Sequence, residues 1–470
     1  MIFLRENVIA NISSIPRDIL KTVISELTID NPMLEKRAQL GLTIFGIPAK
    51  VRLYSMEGDR FYAPIGYAER LIELLNVKKE DIVDLRCEGK SIDIEFTGKL
   101  RPYQEQAVNI LYKHTIGVVS APTGSGKTIM MCDLIAKRKV TTLVLVNTIE
   151  LANQFRENLL KFTNLKPEEI HIIASGSGFK VTPVTIALLQ SAYKFSEQKM
   201  KLLNDYIGQT ITDEVHIVGA DTYFSVLNNL KTKYKYGFSA TPERDDGLTK
   251  LIFLASGNIR KDIKISELGK QIMLPTIKAI PTNYHFPFFD MNEYQTMITD
   301  LSKDKDRNQL IAATLSTSEY KDKQKVLLCA RVMQCVLLQQ LIPGSKILVG
   351  GISKEDQEEI LKTFPDSYEE IVAQRGKKYR KSIVEELNSG KLKTVISTFG
   401  LFSTGLDFQQ LEVAAFCAPM KSKILVKQCR GRIMRVDKNK SPVCVDFEDG
   451  NVSLLKQQSK TRQRILKRFD

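Results

Sequence analysis

Residues 121–128 read Ala-Pro-Thr-Gly-Ser-Gly-Lys-Thr, after the apolar run Ile116 to Ser120 and before an apolar stretch that begins at Ile129. The first run is short and β-branched and predicts a strand. The glycines predict a turn, and the stretch after them predicts a helix. A strand, a glycine loop ending in Lys-Thr and a helix make a phosphate-binding loop. Glycines let the backbone curl until its N–H groups face phosphate oxygens, and the helix N-terminus adds the positive end of its dipole. In that frame Ala121, Pro122, Thr123, Gly124, Ser125 and Gly126 form the cradle. Lys127 reaches the β- and γ-phosphates, and the Thr128 hydroxyl is offered to Mg²⁺. Gly is usual where Ala121 stands, but that position turns the strand and does not touch phosphate.

Further short apolar runs follow at Thr142 to Asn147, Val184 to Ala187, Gln209 to Thr212 and Tyr236 to Ser239, with helical stretches between them. Such alternation predicts a parallel sheet covered on both faces. Asp213-Glu214-Val215-His216 closes one of these strands. Carboxylates at a strand's C-terminal end face the crevice where nucleotides bind. Asp213 is expected to hold Mg²⁺ through water, and Glu214 to orient and deprotonate an attacking water. His216 reads as a surface histidine or, beside such a site, as a coupling residue. Arg101-Pro102-Tyr103-Gln104 lies about twenty residues before the loop. A Gln there can read an adenine edge with both ends of its amide. The expected ligands are ATP and Mg²⁺, with Arg101 and Gln104 in the nucleotide site.

A second series of strand-like runs covers Lys325 to Ala330, Lys346 to Val349, Thr394 to Ser397, Val413 to Cys417 and Val443 to Asp446. Between the two series, about Asp262 to Asp304, the chain looks irregular and carries Pro275, Pro281 and Pro287, which predicts an inter-domain region. Ahead of Leu100, a helix is expected over Pro16 to Leu27, where Ile15, Ile19, Val23 and Leu27 share a face. Strands are expected at Lys50 to Tyr54 and Ile92 to Phe96, and a helix at Tyr67 to Leu75. The expected division is a small α+β domain over 1–98, α/β domains over 99–261 and 262–450, and a basic tail over 451–470.

The 470 residues are 43% hydrophobic and 26% charged, which excludes disordered and fibrous classes. Lys and Arg number 68 against 54 acidic residues, a net charge of +14 that favours a polyanionic partner. No apolar run approaches a membrane span and no secretory leader is evident, so the expected compartment is the cytoplasm, that of a host if the chain is phage-encoded. Seven cysteines without a CxxC, and four histidines without a zinc pattern, argue against disulfide, zinc and iron–sulfur frameworks.

Three more stretches complete an ordered set: Ser239-Ala240-Thr241, TFGLFSTGLD over 398–407, and Gln428-Cys429-Arg430-Gly431-Arg432-Ile433-Met434-Arg435. With R-P-Y-Q, A-P-T-G-S-G-K-T and D-E-V-H before them, the set resembles the superfamily 2 helicases and translocases over about Leu100 to Asp446. Within that superfamily the chain resembles the phage UvsW type, helicases of DNA and RNA–DNA related to XPB and RecG. The features are Phe61 to Tyr67 (FYAPIGY), the pair Arg307-Asn308, and Pro419 to Lys423 before Gln428. The resemblance implies an α/β fold with two tandem RecA-like parallel-sheet domains, ATP lying in the cleft between them. It implies that Arg432 and Arg435 are arginine fingers and that Gln428 contacts the nucleotide or its attacking water. Ser239 and Thr241 would couple the γ-phosphate to the nucleic-acid groove, and Thr398, Gly405 and Asp407 would lie at the same cleft. Thr404 and Met434 depart from many relatives, which carry Arg and Gly there.

By the same resemblance, Thr148 to Phe155 and the stretch holding Gln190 touch the backbone of the tracked strand. Thr398, Arg375, Lys377, Lys378 and Arg380 are further candidate nucleic-acid contacts, as are the basic residues 456–468. Each basic cluster also reads as a solvated helix face, and Leu454, Leu455, Ile465 and Leu466 also allow the tail to be a packed helix. The function implied is ATP-dependent remodelling of branched DNA (forks, junctions, R-loops) in replication, recombination or repair, by a monomeric motor with 3′→5′ polarity. Branched or forked DNA and RNA–DNA hybrids are the expected partners. An RNA-directed helicase, a nuclease-linked motor and an ATP-gated clamp without strand separation are the alternatives.

Overall fold

The computed structural model describes residues 1–31, 34, 37, 43, 45–174, 178–214, 220–240, 249–269, 272–373, 377–403, 408, 410–435 and 440–467. The chain divides into two units, Met1–Ile263 and Lys264–Asp470.

The first unit begins with a mixed sheet. Its strands are β1 (Ile2–Leu4), β2 (Asn7–Asn11), β5 (Ser55–Glu57), β6 (Arg60–Pro64) and β7 (Ile82–Asp84), in the order β5-β6-β2-β1-β7. A hairpin of β3 (Thr28–Asp30) and β4 (Lys50–Arg52) accompanies it. The helix expected over Pro16 to Leu27 spans Arg17–Glu26, with Ile15, Val23 and Leu27 buried on its inner face. A further helix is Ala68–Leu74. This sheet shares a core with Leu251 and Leu254 of helix Thr249–Ser256. The approach is close enough that a Cβ on Gly66 would strike the carbonyl oxygens of Phe253 and Leu254.

Ile92 to Phe96 corrects one expectation. Ile92 and Ile94 are buried and alternate with exposed neighbours, yet no strand forms there. The segment is a strap across the first parallel-sheet domain. It is pinned by Cys87 N–H to Lys231 O, Ile92 N–H to Lys139 O and Thr97 N–H to Phe162 O. Alternation reports one buried face, and a strap has one as well as a strand.

The first parallel sheet comprises β8 (Ile116–Ser120), β9 (Thr142–Val146), β10 (Ile170–Ile173), β11 (Val184–Leu188), β12 (Gln209–Asp213), β13 (Tyr234–Ser239) and β14 (Ile259–Asp262). Among the described residues the order is β10-β11-β9-β12-β13-β8-β14 and every pairing is parallel. β8 and β9 are buried along their whole length, as expected when helices cover both faces. β10 and β14 are edge strands that the sequence reading did not single out.

The second unit carries β15 (Thr276–Pro281), β16 (Lys325–Cys329), β17 (Lys346–Leu348), β18 (Thr394–Thr398), β19 (Val413–Phe416) and β20 (Val443–Glu448). They run parallel in the order β15-β20-β19-β16-β18-β17. The stretch read as irregular, Asp262 to Asp304, instead contains β15 and helix Tyr294–Lys303. Pro275 precedes β15 and Pro281 ends it, positions an edge strand tolerates. The basic tail is likewise a packed helix, Ser453–Lys467, with Leu455 and Leu466 buried. Arg462, read as a candidate phosphate contact, is buried and pairs with Asp446 at 2.5 Å.

The cysteines are free thiols. Burial raises the thiols of Cys132, Cys329, Cys429 and Cys444, which keeps them protonated. No helix among the described residues is long and apolar enough to cross a membrane.

Candidate functional site

The site begins where β8 ends. Gly124 and Gly126 take left-handed backbone angles (φ 86° and 80°), and Gly126 caps helix Lys127–Arg138. A Cβ on Gly126 would collide with the Gln104 amide. That packing is specific: Gln104 Nε2 donates to Ser125 O at 2.7 Å, and its Oε1 accepts from Arg101 N–H at 2.8 Å. Tyr103 Oη donates to the same Ser125 carbonyl at 3.0 Å, and Arg101 Nη1 donates to Tyr103 Oη at 3.1 Å. The tetrapeptide 101–104 therefore braces the loop from beneath. The sequence named Tyr103 but gave it no role; an aromatic residue inside the R-P-Y-Q cap was the signal for one.

β12 lies two strands from β8 across β13, so the loop and the carboxylates emerge on one edge of the sheet. Lys127 Nζ meets Glu214 Oε1 at 2.8 Å, with the side chains 11% and 18% exposed. Glu214 is held at φ 52°, a left-handed conformation uncommon for a non-glycine residue. Asp213 is different. Its Oδ1 is buried and has no hydrogen-bond partner among the described residues. Burial first, and then the Glu214 charge, push its carboxyl up to about 7, against a smaller opposing pull from Lys127. A buried oxygen without a partner is costly unless something else supplies one. The described residues hold no group of three or more His, Cys, Asp or Glu able to bind a metal alone. Asp213 and Thr128 thus suit Mg²⁺, which is commonly held by one or two carboxylates together with substrate phosphates. Between them stands Ser239, the last residue of β13. It is fully buried, and its carbonyl accepts from Ala121 N–H at 2.8 Å.

In the second unit, Gln428 and Arg432 occupy one face of helix Lys423–Ile433 at a spacing of four. Gln428 is buried, and the Arg432 guanidinium lies 5.4 Å from the Phe402 ring centroid. Arg435 follows the helix, bridged to Ile272 in antiparallel register. Arg430, on another face, donates to Ile465 O and Leu466 O, capping the C-terminal helix. Thr398 ends β18 and lines a cavity of about 460 Å³ with Thr299, Lys303, Arg331 and Ser353. None of those four was anticipated from sequence. Gln190 is exposed just after β11, and Arg380 Nη2 donates to Val349 O at 3.3 Å. Lys377 and Lys378 open helix Lys377–Asn388. His216, Thr241, Arg375, Gly405 and Asp407 lie outside the described residues.

Known proteins match both halves. Residues 97–244 match the family model of the type III restriction enzyme res subunit, and residues 307–437 that of the helicase conserved C-terminal domain. The putative helicase 161L of Invertebrate iridescent virus 6 is 26% identical over 448 residues, 93% of this chain and 94% of that one. The DNA 3′-5′ translocase XPB2 of Sulfurisphaera tokodaii is 26% identical over 373 residues, 74% of this chain and 81% of that one. Among solved structures, T4 UvsW is similar over 98% of this chain and 96% of its own, at 18% identity and a TM-score of 0.41. Two parallel-sheet domains, one carrying a phosphate loop, together with the helicase-domain match mark an ATP-using nucleic-acid motor. The chain belongs to the superfamily 2 helicases and is an ATP-dependent nucleic-acid helicase.

Proposed function

We propose that this helicase hydrolyses ATP to remodel branched DNA, forks and junctions above all, moving 3′→5′ as a monomer. The observation that carries the chemistry is the ion pair Lys127–Glu214 beside the unpartnered Asp213 oxygen. Before nucleotide arrives, Lys127 neutralises Glu214. Triphosphate draws Lys127 onto the β- and γ-oxygens, which frees the Glu214 carboxylate to take the proton of the attacking water. Asp213 and Thr128 would hold Mg²⁺, whose charge would offset that of the transferring phosphoryl group. Ser239 links the phosphate loop to β13, so a shift of the loop reaches the next strand. Arg432 and Arg435 stabilise the transition state, and Gln428 orients the nucleotide or its water.

The N-terminal sheet and its accompanying hairpin are the proposed grip on duplex. Arg52 and Arg60 are exposed on β4 and β6. Arg70 is less suited, because it pairs with Glu26 at 3.0 Å and with Glu73 at 3.1 Å. XPB2, by its name a 3′-5′ DNA translocase, supports the polarity and the choice of DNA.

The test is ATP-dependent processing of matched fork, four-way junction, RNA–DNA and plain duplex substrates. Preference for the fork or junction is expected; equal rates on all four, or preference for RNA–DNA, would remove the branched-DNA reading. Arg52→Glu with Arg60→Glu should depress junction processing several-fold while single-strand-stimulated ATPase persists. Full junction processing by that double variant would take the grip away from this sheet and its hairpin.

A further inference from the structure

The search turns on the segment between β15 and helix Tyr294–Lys303, which carries the run Tyr284-His285-Phe286-Pro287-Phe288-Phe289. Tyr284 is buried, and its hydroxyl donates to Asp300 Oδ2 at 2.8 Å. Phe286 and Phe288 are half-buried against Met297, Ile298, Leu301, Val452 and Leu455. Phe289 does the opposite: it is 84% exposed. It is nevertheless fixed in place. Phe288 N–H donates to Phe286 O at 2.9 Å, and Phe289 N–H donates to Glu293 Oε2 at 2.8 Å. Asp290 Oδ1 accepts from Asn292 N–H at 2.6 Å and starts the following helix. A phenyl ring thus projects from a braced loop whose other aromatics are the anchors.

A single exposed apolar side chain is ordinary; its surroundings set this one apart. The loop leaves the C-terminal end of β15, the edge of a parallel sheet at which ligands bind. Lys421, in the loop after β19 on that same edge, stands 4.1 Å over the ring of Tyr294, the first residue of the adjoining helix. Farther along that helix, about 8 and 14 Å away at 1.5 Å per residue, Thr299 and Lys303 line the cavity shared with Arg331 and Thr398, and Lys303 pairs with Glu359 at 2.9 Å. One helix therefore joins a hydroxyl-bearing cavity, lined by Arg331, Lys303 and Asp356, to a projecting aromatic ring suited to bases.

We propose that Phe289 is a stacking platform for a nucleobase of the strand that the second unit grips, used irrespective of sequence. The proposal deepens the helicase reading and rests on it. Every base has a π-face, so stacking tolerates any sequence, as a motor requires. Asp290 and Glu293, beside the ring, repel phosphate and leave the base as the part that approaches.

The chain contains no Trp, so Phe289→Trp installs a sole indole reporter. Adding single-stranded oligonucleotide should quench that indole, and an abasic strand of equal length should quench it much less. Phe289→Ala should weaken single-strand binding by about ten- to a hundredfold and lower the strand displaced per ATP hydrolysed, with ATPase in the absence of nucleic acid unchanged. Phe289→Tyr should restore both, and Phe289→Leu neither. If an oligonucleotide stimulates ATPase without quenching the indole, the platform is overturned and the helicase reading stands. A fully active Phe289→Leu overturns it too, and points to an apolar protein contact. Wild-type protein whose ATPase answers to no nucleic acid would instead fail the helicase reading itself.

Discussion

The two parallel sheets end comparable strands in opposite ways. In the first unit β12 ends at Asp213, whose buried Oδ1 meets no partner among the described residues. In the second unit β20 holds Asp446, which accepts from Arg462 Nε at 2.5 Å and Ser459 Oγ at 2.9 Å. Just beyond it, Asp449 accepts from Arg307 Nε at 2.7 Å, Arg307 Nη2 at 3.1 Å and Thr282 Oγ1 at 2.6 Å. Asp446 and Asp449 are buried, and Asp213 is half-buried with its Oδ1 withdrawn from water. The second unit has satisfied its own with side chains from elsewhere in the chain, which fastens the helices Lys305–Leu315 and Ser453–Lys467 to the sheet. Among the described residues the first unit leaves one oxygen unsatisfied, a cost that a bound cation would offset. The same architecture thus devotes buried charge to cohesion in one unit and to an incoming ligand in the other.

The contrast breaks most visibly at the phosphate loop. Lys127→Ala should abolish ATP turnover, by about a thousandfold or more, and leave the fold and much of the nucleic-acid binding intact. Glu214→Gln should bind ATP and turn over at least about a hundredfold more slowly, because it keeps the shape and loses the base. Steady-state ATPase and nucleotide-binding measurements check both. Substantial hydrolysis by the Lys127 variant, or loss of ATP binding by the Glu214 variant, would contradict the roles given.

The aspartates themselves supply the next test. Arg307→Ala leaves Asp449 buried and unpaired, and should cost about 3–5 kcal/mol of second-unit stability. Asp213→Asn should cost nothing in stability and lose the ATPase. Its pH signature has a definite sign. The folded carboxyl titrates at about 7, above the ordinary 3.8, so between those values the folded state holds the proton more tightly. In chelator, without nucleotide, stability should fall as pH rises through that window, and Asp213→Asn should flatten the slope. Thermal unfolding across pH checks the pair. An Asp213→Asn protein as destabilised as Arg307→Ala would show that both aspartates serve cohesion.

The sequence made some of this legible and hid the rest for physical reasons. Strands such as β8, β9 and β16 are continuous apolar runs, since both of their faces are buried, and they were readable from composition alone. β15 was missed because its prolines mark a loop in most contexts; they are admissible here only because it is an edge strand. The strap at Ile92 to Phe96 was misread because its buried alternation is real. Of the site, Lys127, Asp213 and Glu214 were readable, for their chemistry is local in sequence. The bracing of Ser125 by Tyr103 and Gln104 was not, and neither was the Arg307–Asp449 pair, whose partners are 142 residues apart. The basic tail shows the limit of charge counting: Arg462 has the composition of a phosphate ligand and the burial of a core residue.

The smallest expected effect concerns two buried lysines at the N-terminal ends of strands, one in each unit. Lys235, near the start of β13, donates from Nζ to Leu227 O at 2.8 Å. Burial, with the Arg86 charge adding, lowers its ammonium to about 7. Lys325 opens β16, and its Nζ donates to Tyr320 O, Lys321 O and Lys323 O at 2.8, 3.2 and 3.1 Å. Burial lowers this ammonium less, to about 8. Lys325 gathers a turn by its carbonyls, whereas Lys235 meets a single one. Lys325→Met should therefore cost about 1–3 kcal/mol by stranding acceptors, while Lys235→Met, similar in volume and free of a charge to desolvate, should be neutral or stabilising. Both lysines bind fewer protons folded than unfolded up to the ordinary 10.5, so each makes stability rise with pH, from about 7 for Lys235 and about 8 for Lys325. Lys235→Met should flatten the rise most between 7 and 8, where Lys325 contributes least. A Lys235→Met protein that loses as much stability as Lys325→Met would show that the single bond to Leu227 O holds the first unit as firmly as three carbonyls hold the second.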